Sequence, residues 1–144
     1  MLISHIGILL AVNDSNTTEI EQGIGNEVDH FVVRAPKKNR DAMIDLGKQF
    51  ADIMRKYGGP YPLYFQLNNI ETPMEGITNI AKTVSASQDE DVWLQLTFYR
   101  DRKQRDEVRA KMGNDESMGP INKQFMELIT PGSMIMGEFV RLKM

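Results

Sequence analysis

The sequence contains no cysteine, and only two of its 144 residues are histidine. Without cysteine the chain can form no disulfide, offers no thiol nucleophile and has no thiolate for a metal. This composition permits a cytoplasmic location, which we predict. The two histidines, His5 and His30, are far apart in the sequence, so a histidine pair at metal-ligand spacing is absent. We therefore expect no metal site and no cofactor.

Several motifs of common enzymes are also absent. There is no GxSxG for a serine hydrolase, and no GxGxxG or GxxxxGK(S/T) for a Rossmann or P-loop nucleotide enzyme. The net charge is −3 with the signs interspersed, so we expect no basic surface for nucleic acid. The apolar stretch from Met1 to Val12 is shorter than the about 20 residues that span a membrane. We predict neither a nucleic-acid nor a membrane partner.

The most regular pattern in the chain runs from Val92 to Tyr99 and predicts a central β-strand. Successive side chains of a strand point to opposite faces of the sheet. One face is wholly apolar, whereas the other is aromatic and able to form hydrogen bonds. The two faces consist of Val92, Leu94, Leu96 and Phe98, and of Trp93, Gln95, Thr97 and Tyr99. We expect helices on one side and the mixed face of Trp93 and Tyr99 left open for a cavity or a subunit interface.

The length favours one domain. Residues 1–27 are predicted to be an N-terminal extension or linker, with the alternative that Leu2 to Leu10 adds a strand at a sheet edge. Residues 28–144 are predicted to form the compact domain. Its predicted elements are, in order, the strand Val28–Arg34, the helix Lys37–Tyr57, the strands Tyr61–Leu67, Ile77–Ser85 and Val92–Tyr99, the helices Asp101–Met112 and Ile121–Ile129, and the strand Met134–Leu142.

This order predicts an α+β fold of the ferredoxin-like βαββαβ type, with an antiparallel sheet and helices on one face. Ile77–Ser85 and the central strand are predicted to form a hairpin. A sheet face left uncovered in so small a domain needs a partner. Two such sheets packed face to face around a twofold axis form a dimeric α/β barrel, so we expect a homodimer.

Three separated segments resemble the YbaA-like domain-of-unknown-function family. They are Val28-Asp29-His30-Phe31-Val32-Val33-Arg34-Ala35-Pro36; Arg105-Asp106 with Lys111-Met112, Asp115 and Met118; and Met134-Ile135-Met136-Gly137-Glu138-Phe139. The resemblance covers about residues 28–142 and implies the fold of the dimeric α/β-barrel superfamily. His30 replaces the family's usual glycine, and no acidic-cysteine pair stands around Tyr64-Phe65-Gln66. Any chemistry that rests on those two groups is therefore absent.

The candidate functional residues are those predicted to face the barrel interior or its mouth: Asp29, His30, Gln66, Trp93, Gln95 and Tyr99. His30 is the candidate catalytic group because histidine titrates near neutral pH. The alternative is that His30 forms a hydrogen bond to a neighbouring strand or lies at the dimer seam. It cannot form an adjacent dyad with Asp29, since neighbouring residues of a strand point to opposite faces. Trp93 and Tyr99 suit either interface packing or the wall of a ligand site.

Arg105 has two possible roles. Its guanidinium can hold a ligand carboxylate in a bidentate clamp. Alternatively, Arg105 and Asp106 fix their helix to the loop that contains Asp115. The predicted ligand-binding set is thus Gln66, Trp93, Gln95, Tyr99 and Arg105.

Two functions follow. The first is a homodimeric binding or structural module that holds a small apolar ligand. The second, implied by analogy of fold, is a cofactor-independent enzyme of the small monooxygenase or isomerase type, with His30 or an ordered water as the proton acceptor. The superfamily also includes haem proteins, but this domain offers a single histidine for such a role.

Overall fold

In the computed structural model, the chain is described over residues 25–71 and 74–144. The elements in order are β1 (Glu27–Pro36), a 3₁₀ turn (Lys37–Asn39), α1 (Arg40–Lys56), β2 (Leu63–Gln66), α2 (Ile80–Thr83), β3 (Glu90–Tyr99), α3 (Arg102–Gly113), α4 (Met118–Leu128) and β4 (Ile135–Val140). The predicted N-terminal extension, with its alternative added strand, lies largely outside these residues.

The four strands form one antiparallel sheet in the order β2-β3-β1-β4. β1 and β3 are the two inner strands and pair over ten positions, from Glu27 opposite Tyr99 to Pro36 opposite Glu90. Both are rich in β-branched and aromatic residues, which suit a pleated sheet that is buried on at least one face. The connections and strand order confirm the predicted α+β, ferredoxin-like fold.

The main core lies between one face of the sheet and the helices. Its first part joins Val33 and Ala35 of β1 to Met43 of α1 and to Ile129, just after α4. Its second part is a cluster of Met54, Tyr99, Val108 and Met112 from α1, β3 and α3. The apolar side chains of α1 recur every three or four residues, which places them in one stripe on the sheet.

The predicted strand Ile77–Ser85 is wrong, because this segment contains the short helix α2. Asn79 caps α2, and its side-chain oxygen accepts a hydrogen bond from the Ala81 backbone N–H at 2.9 Å. Ile80 and Val84 are four residues apart, a helical spacing rather than a strand alternation. The hairpin prediction fails with it, since the neighbour of β3 at this edge is β2.

The assignment of the open sheet face is also corrected. Thr97 and Tyr99 are 2% and 4% exposed on the helix-covered side, so the mixed face of β3 is the buried one. The register leaves the apolar side of β3 on the other face, together with Leu63 and Phe65 of β2 and Ile135 and Phe139 of β4. We call this surface the open face. Its residues from the two inner strands are Leu94, Leu96 and Phe98 of β3, and Val28, His30 and Val32 of β1. The physical reason is that the helices provide methionines, which pack on Tyr99, and arginines, which pair with carboxylates of β1 and β4 on the same side of the sheet.

Glu90, at the start of β3, is held by several donors. Arg34 Nη1 donates to its two carboxylate oxygens at 2.9 and 3.0 Å, Thr130 Oγ1 donates to Oε2, and the Ser87 backbone N–H donates at 2.8 Å. Burial alone would raise the pKa of Glu90, but these hydrogen bonds outweigh it and lower the pKa to about 2.

Replacement of Glu90 by glutamine is therefore expected to weaken the acid dependence of stability. The folded-state pKa lies below the ordinary value of 4.5, so the ionised carboxylate contributes stability above pH 4.5 that is lost as the pH falls toward 2. Urea unfolding at a series of pH values measures this slope. An identical slope in Glu90→Gln and wild type would contradict the assignment.

Among the described residues, no helix is long and apolar enough to cross a membrane. The cytoplasmic location stays a prediction.

Candidate functional site

A cavity of about 640 Å³ lies between the helix-covered face of the sheet and helices α1 and α4. Its walls are almost wholly apolar, with aromatic rings from several elements. The principal lining side chains are Phe31, Phe50, Tyr61, Tyr64, Trp93 and Phe125. A volume of this size suits a small-molecule ligand.

Tyr64 and Trp93 provide polar groups on this apolar wall. The Tyr64 hydroxyl donates to the Gly47 carbonyl oxygen at 3.2 Å. Partial burial raises the pKa of Tyr64 further above the physiological range, so the phenol is neutral. The indole N–H of Trp93 is buried and has no hydrogen-bond acceptor within the described part of the chain. Such an unpaired donor is costly, and a ligand acceptor that reached it would recover part of that cost.

A second, more polar cavity of about 420 Å³ adjoins the first. Phe31, Phe50, Gln95 and Asn122 line both, so the two are parts of one cleft. The polar side chains that line only the smaller cavity are Asp29, Thr97, Tyr99, Arg109 and Asp115. Burial, followed by the charge of Asp29, raises the pKa of Tyr99 to about 12, so this phenol is also neutral.

Carboxylates of the sheet and arginines of α3 form an ionic network beside the smaller cavity. Arg109 Nη2 lies 2.7 Å from Asp29 Oδ2 and 2.9 Å from Glu138 Oε1. Arg105 Nη1 lies 3.4 Å from Glu27 Oε2 and 3.5 Å from Glu138 Oε2. The network thus ties β1 and β4 to α3 and defines the position of Asp29.

The structure brings some of the predicted site residues together and separates others. Trp93 and Gln95 line the larger cavity, and Gln95 and Tyr99 line the smaller one. Gln66 lies on the same face of the sheet, but its amide donates to Asp91 Oδ1 at 2.6 Å. His30 lies on the open face, against the Phe139 ring in an edge-on contact at 5.6 Å. His30 and Asp29 do point to opposite faces, as predicted.

Arg105 does not connect its helix to the loop of Asp115. Its side chain is buried with Glu27 and Glu138, whereas Asp115 accepts hydrogen bonds from the hydroxyls of Tyr57 and Ser117. These bonds lower the pKa of Asp115. The expected helix-loop anchor is therefore replaced by a helix-sheet anchor, because Arg105 faces the strands.

Sequence reasoning missed Arg109, Phe50 and Asn122. Arg109 follows Arg105 by four residues, so both lie on one side of α3. That spacing, together with the charges of Glu27 and Asp29 on one face of β1, was the available signal. Phe50 follows Leu46 by four residues in α1, a spacing typical of a core residue, and its role as a cavity wall depends on packing that the sequence does not reveal.

Three solved structures resemble this chain at 12% sequence identity. At3g17210 from Arabidopsis thaliana has a TM-score of 0.50 and matches 81% of this chain and 97% of its own. A NIPSNAP family protein from Agrobacterium tumefaciens gives 0.49, with 83% and 88% covered. SnoaB, a cofactor-independent oxygenase from Streptomyces nogalater, gives 0.47, with 83% and 97% covered. At this identity the similarity to At3g17210 indicates a shared fold alone.

Comparison with curated proteins gave no match. A sequence family matches residues 26–128, which include β1, the cavity-lining strands β2 and β3 and all four helices. The chain belongs to this family, "Protein of unknown function (DUF1428)".

Proposed function

We propose that the protein is a homodimer whose subunits each bind a small, mainly apolar ligand between the sheet and the helices. The observation that carries this proposal is the cavity of about 640 Å³ with aromatic walls, where the indole N–H of Trp93 has no acceptor among the described residues. Pockets of this kind, apolar with a few convergent polar groups, are typical of small-molecule sites. Within its family we group the chain with the YbaA-like proteins, on the motifs at residues 28–36 and 105–118.

The open face supports the homodimer. Large apolar side chains of β2 and β4 are about half exposed on this face: Leu63 46%, Phe65 47%, Ile135 47% and Phe139 56%. Within the described residues, a helix covers this face at one end only. At that end Val84, next to α2, packs on Val32 and Val92. A contiguous apolar surface of this kind marks an interaction site. A second copy is the fitting partner, because two twisted sheets pack well face to face and the sequence resembles a superfamily of dimeric barrels.

Trp93 gives a direct test of the cavity, since it is the single tryptophan of the chain and lines the cavity wall. Iodobenzene is an apolar probe whose iodine quenches tryptophan emission on contact. We expect saturable quenching by iodobenzene in the wild type. Ala51 of α1 lines the same cavity, and Ala51→Phe places a ring within it. This variant is expected to bind iodobenzene at least roughly tenfold more weakly, because the ring occupies the ligand volume.

Ala110→Phe is the matched control. Ala110 is exposed on α3 and lines neither cavity, so this substitution adds the same ring elsewhere. Its quenching curve is expected to match that of the wild type. Equal quenching in Ala51→Phe and Ala110→Phe, with both proteins folded by circular dichroism, would place the probe outside the cavity and contradict the proposal.

A second candidate function is a cofactor-independent enzyme of the monooxygenase or isomerase type. The observation that favours it is Asp29, a buried carboxylate on the cavity wall, which is the kind of group that accepts a proton from a bound substrate. His30 is less suited to this role than the sequence indicated, because it lies on the opposite face of the sheet. Incubation with aromatic hydroxyl substrates and oxygen, followed by product analysis, tests this function. Unchanged substrate in the presence of a folded, ligand-binding dimer counts against it.

A further inference from the structure

Asp29 differs from Asp91, another buried carboxylate of the sheet, in the pairing of its oxygens. Asp29 is 3% exposed and accepts from Arg109 through Oδ2, but its Oδ1 has no hydrogen-bond donor within residues 25–71 and 74–144. Both oxygens of Asp91 are bonded, to Arg40 at 2.8 and 2.9 Å and to Gln66. Both oxygens of the half-buried Glu90 are bonded as well. An unpaired buried carboxylate oxygen is costly, so its retention points to a donor that arrives with a ligand.

The smaller cavity is the place from which that donor can come. Asp29 lines it together with Gln95, Thr97, Tyr99 and Asn122, and the cavity continues into the larger apolar one past Phe31 and Phe50. A ligand whose apolar body occupies the larger cavity can therefore extend one polar end toward Asp29. This arrangement rests on the proposed ligand-binding function.

The charges of the smaller cavity select the type of polar end. Its charged lining side chains are Asp29, Asp115 and Arg109, and Arg109 already contacts Asp29 and Glu138. An anionic end would meet excess negative charge and no available guanidinium. A cationic end would lose its hydration among Phe31, Phe50 and Met54 beside a carboxylate that is already paired. A neutral O–H group satisfies Asp29 at the lowest cost.

We infer that the ligand bears a neutral hydroxyl group, phenolic or alcoholic, which donates its hydrogen bond to Asp29 Oδ1. Thr97 is the direct cross-strand neighbour of Asp29, and Gln95 Nε2 lies 3.5 Å from Thr97 Oγ1, so these three side chains line the same end of the cleft. The inference deepens the proposed function by naming the chemical class of the ligand.

Two probes that differ by one donor test the inference. β-Naphthol carries a neutral aromatic hydroxyl, and its methyl ether has the same ring system without the O–H. Titration calorimetry of the wild type is expected to show about tenfold tighter binding of β-naphthol, the size of one hydrogen bond to a charged acceptor. In Asp29→Asn the preference for β-naphthol over its methyl ether is expected to vanish. The reason is that the asparagine amide nitrogen can donate a hydrogen bond to the hydroxyl oxygen of one probe and to the ether oxygen of the other. Asp91→Asn, a buried carboxylate outside both cavities, is the control that keeps the preference.

The outcomes separate the inference from the proposed function. Equal binding of both probes to the wild type, or a preference that survives in Asp29→Asn, overturns the hydroxyl assignment while the cavity stands. Binding of iodobenzene but of neither naphthalene probe also overturns it. Failure of all three probes overturns the ligand site itself.

A second measurement needs no variant, in case Asp29→Asn fails to fold. Excited β-naphthol is a strong acid and transfers its proton to a hydrogen-bonded carboxylate. Emission from naphtholate in the wild-type complex is expected, and emission from neutral naphthol alone overturns the inference.

Discussion

Phe139→Lys is expected to convert the proposed dimer into a monomer. Phe139 is 56% exposed on the open face, where its ring lies over Gly137 and against His30. A side chain built at Gly137 would approach the Phe139 ring to 2.7 Å, so the glycine lets the ring lie flat on the sheet. In a twofold dimer the lysine appears twice and leaves two unpaired charges in an apolar interface. At about 2 kcal/mol each, these weaken dimerisation by about a thousandfold.

Val140→Lys is the matched control for this prediction. Val140 is the next residue of β4 and is 62% exposed, but it points to the other side of the sheet and pairs with Glu27. A lysine there lies beside a carboxylate and outside the proposed interface. Sedimentation velocity at micromolar concentration is expected to show a dimer for Val140→Lys and a monomer for Phe139→Lys. A dimer for both, with native circular dichroism, would place the interface elsewhere.

Arg105→Met is expected to destabilise the folded chain by about 3 kcal/mol. The Arg105 side chain is 8% exposed and lies between Glu27 and Glu138. Methionine retains most of the packing volume but leaves the buried Glu27 carboxylate without its buried partner. Breaking a buried pair in this way costs more than losing a surface ion pair, because the remaining charge is poorly hydrated. Urea unfolding monitored by circular dichroism measures the change in the free energy of unfolding.

Arg102→Met is the control for the ionic network. Arg102 contacts the same Glu27 carboxylate at 3.7 Å from the same helix, but its side chain is 71% exposed. Its loss is expected to cost less than about 1 kcal/mol. Adding Glu27→Gln to Arg105→Met removes the buried charge and is expected to restore part of the lost stability. Equal destabilisation by Arg102→Met and Arg105→Met would show that burial of the pair is not the source of the effect.

The fold could be predicted because its long elements carry strong patterns. The alternation of Val92 to Tyr99 and the stripe of Met43, Leu46 and Met54 each match one secondary structure. The segment around Ile80 was the exception. Its large apolar residues Ile77, Ile80 and Val84 stand three and four residues apart, which matches a helix rather than the predicted strand. The Asn79 cap fixes where that helix begins.

The side of the sheet that the helices cover could not be predicted from the strand alone. Hydrophobicity favoured burying Leu94 and Leu96, yet the helices cover Thr97 and Tyr99. Met54 and Arg109 decide this outcome, because Met54 packs on Tyr99 and Arg109 pairs with Asp29 of β1 on the same side of the sheet. Neither lies near β3 in the sequence. For the same reason, the prediction that His30 and Trp93 face one interior is wrong, because the two side chains lie on opposite faces of the sheet. The chemistry of the site depends on contacts between distant segments, which the pattern of one strand does not contain.

Native mass spectrometry of freshly purified protein tests the central claim most directly, because it reports assembly and occupancy together. The account predicts a particle of twice the chain mass of 16.4 kDa, with a small additional mass on each subunit that Ala51→Phe removes. A monomer at micromolar concentration, free of any added mass, would contradict it and leave the apolar open face without its proposed partner.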